Sequence, residues 1–157
     1  LALSQHDLPE RGVALERFYR RYESDPLVVD KWFALQAGIP EPATLERVRD
    51  LTRHPAFSMS NPNRVRSLLG AFAHGNQTQF NRRDGGGFEF VVDSALALDD
   101  RNPQLASRLM GAFKSWRALE AERRGRAEAA LRRAAAGKLS RDLADIVQRA
   151  LAPEASS

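Results

Sequence analysis

Metal-assisted hydrolysis run from one helix needs two histidines four residues apart with a glutamate beside the first. The sequence holds three histidines, His6, His54 and His74, and no two of them stand in that spacing. His54 precedes Pro55 in a turn and His74 falls near a helix end, so each is expected on the surface or in a capping role. With no Cys, thiol nucleophiles, thiolate zinc sites and disulfides are excluded. No G-x-S-x-G serine turn occurs. Asp84-Gly85-Gly86-Gly87 has the glycines of a phosphate cradle, but neither the Gly-Lys-Ser/Thr ending nor a strand leading into it. It is expected to be a flexible connector. No catalytic residue and no metal ligand is assigned.

The net charge of +4 is unevenly placed: residues 101–133 carry nine basic and three acidic side chains, and the other segments are close to balance. Arg far outnumbers Lys, which suits fork-like recognition of carboxylate or phosphate. Arg123, Arg124, Arg126, Arg132 and Arg133 could form a stripe for nucleic acid. Glu120, Glu122 and Glu128 interleave with them, and no aromatic side chain is there to stack on a base. A solvated helix face supported by ion pairs is the expectation, with no nucleic-acid partner.

A better candidate follows Asn102-Pro103. On a helical wheel Leu105, Leu109, Ala112, Phe113 and Trp116 share one side, with Met110 at its edge, and Gln104, Arg108, Gly111 and Ser115 line the other. The small residues leave room beside a long Arg, as a groove-lining strip needs. From spacing alone an ordinary exposed face explains the strip somewhat better.

The elements that must position these residues form a repeat. Asn61-Pro62 leads into Leu68-Leu69-Gly70-Ala71-Phe72, and Asn102-Pro103 leads into Leu109-Met110-Gly111-Ala112-Phe113, every matched pair 41 residues apart. Asp25-Pro26 opens a looser third copy ahead of Trp32-Phe33-Ala34. In each, Asn or Asp can cap the first backbone donors and Pro fits the first helical position, where its missing N–H has no partner to lose. Helical periodicity recurs in Leu15, Phe18, Tyr19 and Tyr22, in Val65, Leu68, Leu69 and Phe72, in Phe88, Val91, Val92 and Ala95, and in Leu143, Ile146, Val147 and Ala150. Leu27 to Ile39 is apolar almost all round and belongs at the centre. Gly137 can end the arginine-rich helix and Ser140 can cap the last one. A short strand-like ambiguity remains at Phe88 to Val92.

The expected fold is all-α: about eight antiparallel helices in stacked pairs, a HEAT/armadillo-like superhelix. Residues 1–12 are expected as an N-terminal tail, 13–152 as a single helical-repeat domain and 153–157 as a C-terminal tail. At 157 residues and 43% hydrophobic content the chain can bury a real core. No apolar run approaches the ~18 residues of a membrane span, so no membrane partner is expected. The absence of Cys permits a reducing compartment, and a cytoplasmic location is the expectation. The chain starts at Leu1 without Met, which suggests a piece of something longer.

Several stretches, in order and spacing, resemble the C-terminal helical domain of the bacterial aminopeptidase N family of zinc metallopeptidases. They are Asp25-Pro26-Leu27-Val28-Val29-Asp30-Lys31-Trp32-Phe33, His54-Pro55-Ala56-Phe57, Asn61-Pro62-Asn63-Arg64-Val65-Arg66, Gly70-Ala71-Phe72 and Arg101-Asn102-Pro103-Gln104-Leu105-Ala106-Ser107-Arg108-Leu109. The similarity covers Val13 to Ala152. It implies an exopeptidase that removes N-terminal residues from peptides, with zinc and the H-E-x-x-H base on a separate catalytic domain of the same polypeptide. The present chain would hold no cofactor, be inactive alone, and form a bowl that closes over the active site and restricts entry to small substrates. By the same resemblance Gln104 matches a residue reaching the pocket for the first side chain, and Arg108 one that projects into the same cavity. Arg66 and Arg64 match basic residues nearby, and Arg64 could equally be structural. The alternative is a stand-alone helical-repeat scaffold that binds a protein partner along its concave face.

Overall fold

The computed structural model describes residues 9–154, all helices and connecting turns with no strand among them. The chain divides into two compact units, Leu1–Gln79 and Phe80–Ser157. His6 lies outside the described residues.

In the first unit, α1 (Pro9–Tyr22), α3 (Thr44–Leu51) and the run from α4 (Pro62–Val65) through a π-helical turn (Arg66–Gly70) to α5 (Ala71–Gly75) all pack on α2 (Pro26–Ala37). The central position of α2 follows from its composition, and Val29, Trp32, Phe33 and Ala37 are buried. Its apolarity is not all consumed, for Leu27 stays 72% exposed. Val65, Leu68, Leu69 and Phe72 face α2, as their spacing predicts. Helix α1 begins four residues before Val13, within the stretch expected as a tail. Pro9 is tolerated in its first turn, and Arg11 is only 2% exposed because Glu41 accepts its guanidinium and that of Arg47. The Arg11 hydrogen bond holds the Glu41 carboxyl below its ordinary value against the opposing effect of burial. Trp32 Nε1 donates to the Leu15 carbonyl at 2.8 Å, tying α1 to α2.

A buried Asn76 closes the unit. Its Nδ2 donates to the carbonyls of Ala37 and Ile39, both at 2.9 Å, and its Oδ1 accepts from Gln79 N at the start of α6 (Gln77–Phe80). One amide thus satisfies carbonyls at and just past the end of α2 and an orphan donor of α6.

The second unit is built on α7 (Gly86–Asp99), which packs against α8 (Pro103–Met110) and α9 (Ala121–Ala135), while α10 (Arg141–Leu151) packs on α8 and α9. The ambiguous Phe88 to Val92 segment is helical because Phe88, Val91, Val92 and Ala95 fall on one buried face. Phe80, Phe88 and Phe113 pack edge-on or tilted with ring centres 5.1 to 5.6 Å apart. The glycine run is a defined turn, not a slack connector. Gly85 takes φ 78°, open to glycine at little cost, and Asp84 Oδ1 accepts the Gly86 N–H at 2.8 Å. A Cβ at Gly85 would meet Arg126 Cδ at 3.0 Å.

The Asx-Pro starts behave as read. Asp25 accepts from Leu27 N and Val28 N, Asn61 from Arg64 N at 3.1 Å and Asn102 from Leu105 N at 3.0 Å, each with Pro at the start of its helix. Replacing Asn102 by Ala should cost about 1 kcal/mol, measured as a shift in the urea midpoint at unchanged slope. The two copies then diverge. The first widens into the π turn, where Ser67 Oγ donates back to the Asn63 carbonyl at 2.8 Å. The second tightens into 3₁₀ turns, Gly111–Phe113 and Trp116–Ala118.

Candidate functional site

Helix α8 puts Leu105, Ala106, Leu109 and Met110 in the core and leaves Gln104 and Arg108 exposed. These two residues line an open groove of about 430 Å³ between α8 and α10, together with Ser107, Asp142, Asp145, Ile146 and Arg149. The groove walls are fixed from beneath. The Asp99 carboxylate, buried at the end of α7, accepts from Ser140 N at 2.7 Å and Ser140 Oγ at 2.5 Å, and Ser140 Oγ in turn accepts from Leu143 N. At the far end Trp116 Nε1 donates to the Ala150 carbonyl at 2.9 Å. Arg117 stacks over the Trp116 ring and reaches the Ala152 carbonyl. Between these anchors Ser107 Oγ donates to the Asp142 carbonyl at 3.3 Å. A polar strip on α8 therefore faces a polar strip on α10, and a guanidinium and an amide there can grip a carboxylate or a peptide carbonyl.

The wheel that groups Gln104 and Arg108 with Gly111 and Ser115 holds only to Met110, where the α-helix ends. Gly111 and Ser115 do not line the groove. The second wall, from Asp142 to Arg149, was not singled out from sequence. Its signal is the i, i+3, i+7 spacing of Asp142, Asp145 and Arg149 on the side away from Leu143 and Val147.

Arg64 and Arg66 lie in the first unit and differ from each other. Arg64 is 7% exposed; its Nε donates to Asp30 Oδ1 at 2.6 Å, its Nη1 donates to the Ala56 carbonyl, and its guanidinium covers the Phe33 ring. Of its two open roles, the structural one accounts for those contacts. Arg66 is exposed on the π turn, with Nη1 donating to Asn63 Oδ1 at 3.0 Å.

The arginines of α9 are largely bound to acids. Arg133 pairs with Glu89 and Asp93 of α7, Arg132 with Glu128, and Arg123 with Glu120 and the Asn81 carbonyl. Arg83 reaches Glu122. The local charge excess is in good part spent inside the unit.

His54 is half-buried rather than a plain surface residue. Its ring stands edge-on to Tyr19 at 4.6 Å and near Trp32 and Phe33, and its Nδ1 accepts the Ala56 N–H at 3.0 Å. Burial pushes its pKa below the ordinary 6.5, with the Glu16 carboxylate opposing. A lowered folded-state pKa means the unfolded chain protonates first. Stability is therefore full above about pH 6.5 and falls as pH drops through that value. Unfolding midpoints should decline between about pH 7.5 and pH 5.5, and His54→Gln should flatten that slope.

No group of three or more His, Cys, Asp or Glu among the described residues could hold a metal ion. His54, its Nδ1 occupied and its ring packed among aromatics, does not fit the role of a zinc ligand. No helix among the described residues is long and apolar enough to cross a membrane.

Residues 1–152 match the family described as "Domain of unknown function (DUF3458_C) ARM repeats". Aminopeptidase N of Escherichia coli is 42% identical over 146 residues, which is 92% of this chain and 17% of that protein. Aminopeptidase N of Caulobacter vibrioides is 40% identical over 142 residues, 90% of this chain and 16% of that one. The chain thus spans about a sixth of the length of these relatives, in their C-terminal part. Among solved structures, Legionella pneumophila aminopeptidase A in complex with aspartic acid superposes with a TM-score of 0.90 at 35% identity, covering 96% of this chain and 18% of that one.

Proposed function

This chain belongs to the DUF3458_C family of ARM-repeat domains, and from that membership we propose that it is the C-terminal lid of a zinc-dependent aminopeptidase N, a peptidase that removes N-terminal residues from peptides. In this reading the zinc, the H-E-x-x-H base and the attacking water belong to the catalytic domain of the same polypeptide, and the lid restricts entry and lends contacts to the bound peptide. Gln104 and Arg108 supply those contacts, with Arg66 as a further basic residue. Arg64 serves by holding α2 against α4.

The observation that supports the reading is the division of α8: one face in the core, the other offering an amide and a guanidinium one turn apart in an open groove. An Arg fork binds carboxylates and carbonyls without a proton of its own to give or take. Such a wall stabilises the peptide in the ground state and in the transition state alike, which lowers KM more than it raises kcat. The chain alone then hydrolyses nothing. Purified and supplied with zinc, it should release no amino acid from alanyl peptides. Zinc-dependent release by the pure chain would end the proposal.

A further inference from the structure

Four large hydrophobic side chains stand exposed among the described residues, Val13, Phe18, Leu27 and Leu35, and all four lie on α1 and α2 of the first unit. Leu27 and Leu35 share one face of α2. With Lys31 between them they recur every fourth residue, a single row down the helix flanked by half-buried Val28 and Ala34. Val29, Trp32, Phe33 and Ala37 lie on the other side of the wheel and are buried. The row itself is open: Leu27 is 72% and Leu35 39% exposed. Lys31 is exposed as well and enters no ion pair among the described residues. The second unit shows nothing comparable, for its large apolar side chains are all buried or half-buried among the described residues.

An uncovered leucine row, on the helix around which the rest of the unit packs, is the kind of apolar surface that marks a contact. Its dimensions suit a helix. Eight residues rise about 12 Å from Leu27 to Leu35, roughly the width of one helix with its side chains. Ala34 beside the row leaves a groove into which a ridge of the incoming helix can settle. Units of an ARM-repeat family bury their apolar faces on neighbouring helices. This chain matches only the C-terminal sixth of its relatives, so in a parent of that length most of the polypeptide precedes Leu1 and enters the fold at α1, the neighbour of α2. We propose that the Leu27–Lys31–Leu35 face seats an amphipathic helix from the segment immediately before Leu1 in the parent polypeptide, an inference that rests on the reading of this chain as the C-terminal part of a longer peptidase. The apolar side of that helix packs on Leu27 and Leu35. An acid on its flank meets the Lys31 ammonium, whose stem lies along the row. The short tether to α1 keeps the helix at high local concentration over its seat.

The test uses the full-length parent carrying Leu27→Cys, with Arg124→Cys on the exposed side of α9 as the reference. Modification by N-ethylmaleimide is followed by mass spectrometry of the peptide that holds each position. The thiol at position 27 should react at least about tenfold more slowly than the one at 124, because a side chain under a docked helix is reached only when that helix opens. The ratio should not change with enzyme concentration. Equal rates at the two positions overturn the proposal, and so does protection that grows with concentration, which would make a second copy the occupant. A second measurement names the occupant: a diazirine-bearing lysine at position 31, irradiated in the full-length parent, should attach within about 50 residues before Leu1, the span of one repeat unit. Attachment to another chain or farther upstream overturns the proposal. Neither readout involves peptide turnover, so the two levels separate. If position 27 is open while Arg108→Ala still weakens peptide turnover, only this surface fails; if position 27 is covered while Arg108→Ala is silent, only the substrate contact fails.

Discussion

Arg108→Ala in the full-length parent enzyme should lower kcat/KM for short peptides by about tenfold, a loss of one charge-assisted contact in a partly open groove. The zinc content should stay unchanged, because the proposed reading assigns the metal to the catalytic domain. The effect should fall mainly on KM, since a guanidinium contact that holds the peptide alike in the ground state and the transition state is uniform binding. Lysine at 108 should restore only part of the loss, for it offers a point charge where the fork was. The fold should survive, because Arg108 is exposed and the core face of α8 is untouched.

The largest effect on stability is expected at Arg64. Replacing it by Met keeps much of the side-chain volume but leaves the Asp30 carboxylate, itself largely buried, without its ionic partner, and the Ala56 carbonyl without a donor. Removing one partner of such a pair costs about 3 kcal/mol, which for a unit of this size lowers Tm by roughly 15 °C. Lysine should not rescue it, because one ammonium cannot reproduce the planar fork that spans Asp30 and Ala56 while covering Phe33. Replacing Arg64 and Asp30 together by apolar residues should recover part of the loss, since the pair's attraction largely offsets its own desolvation. Urea unfolding of the double variant and both single variants measures that coupling. If Arg64→Met leaves stability intact, the contacts seen at Asp30 and Ala56 contribute little to the fold.

Much of this architecture was legible from local signals. The Asx-Pro pairs announced three helix starts because the cap and the first-turn proline both act within three residues. Ser140 did the same for α10, and the buried faces of α4 to α5 and of α7 followed from helical spacing. Contacts across long separations were not legible. Asp30 to Arg64, Asn76 to Ala37 and Asp99 to Ser140 each join residues more than thirty positions apart through a single side chain, and no pattern in either segment predicts the partner. The same limit hid the groove. Gln104 and Arg108 could be read off their wheel and the family resemblance, but the opposing wall comes from α10, brought alongside by packing. The two repeat copies teach a further lesson. The matched stretches pass through a π turn at Arg66–Gly70 in one copy and a 3₁₀ turn at Gly111–Phe113 in the other, so the pattern told which side is buried and not the pitch of the backbone.

The central claim is that α8 lies against the peptide in the working enzyme. It is tested most directly by placing a photoreactive benzoylphenylalanine at position 104 of the full-length parent and irradiating it with a bound, non-hydrolysable peptide inhibitor, with the same label at exposed position 124 on α9 as the control. The account predicts covalent capture of the inhibitor from position 104 and none from position 124. Capture from neither position, under conditions where the inhibitor blocks activity, would contradict it.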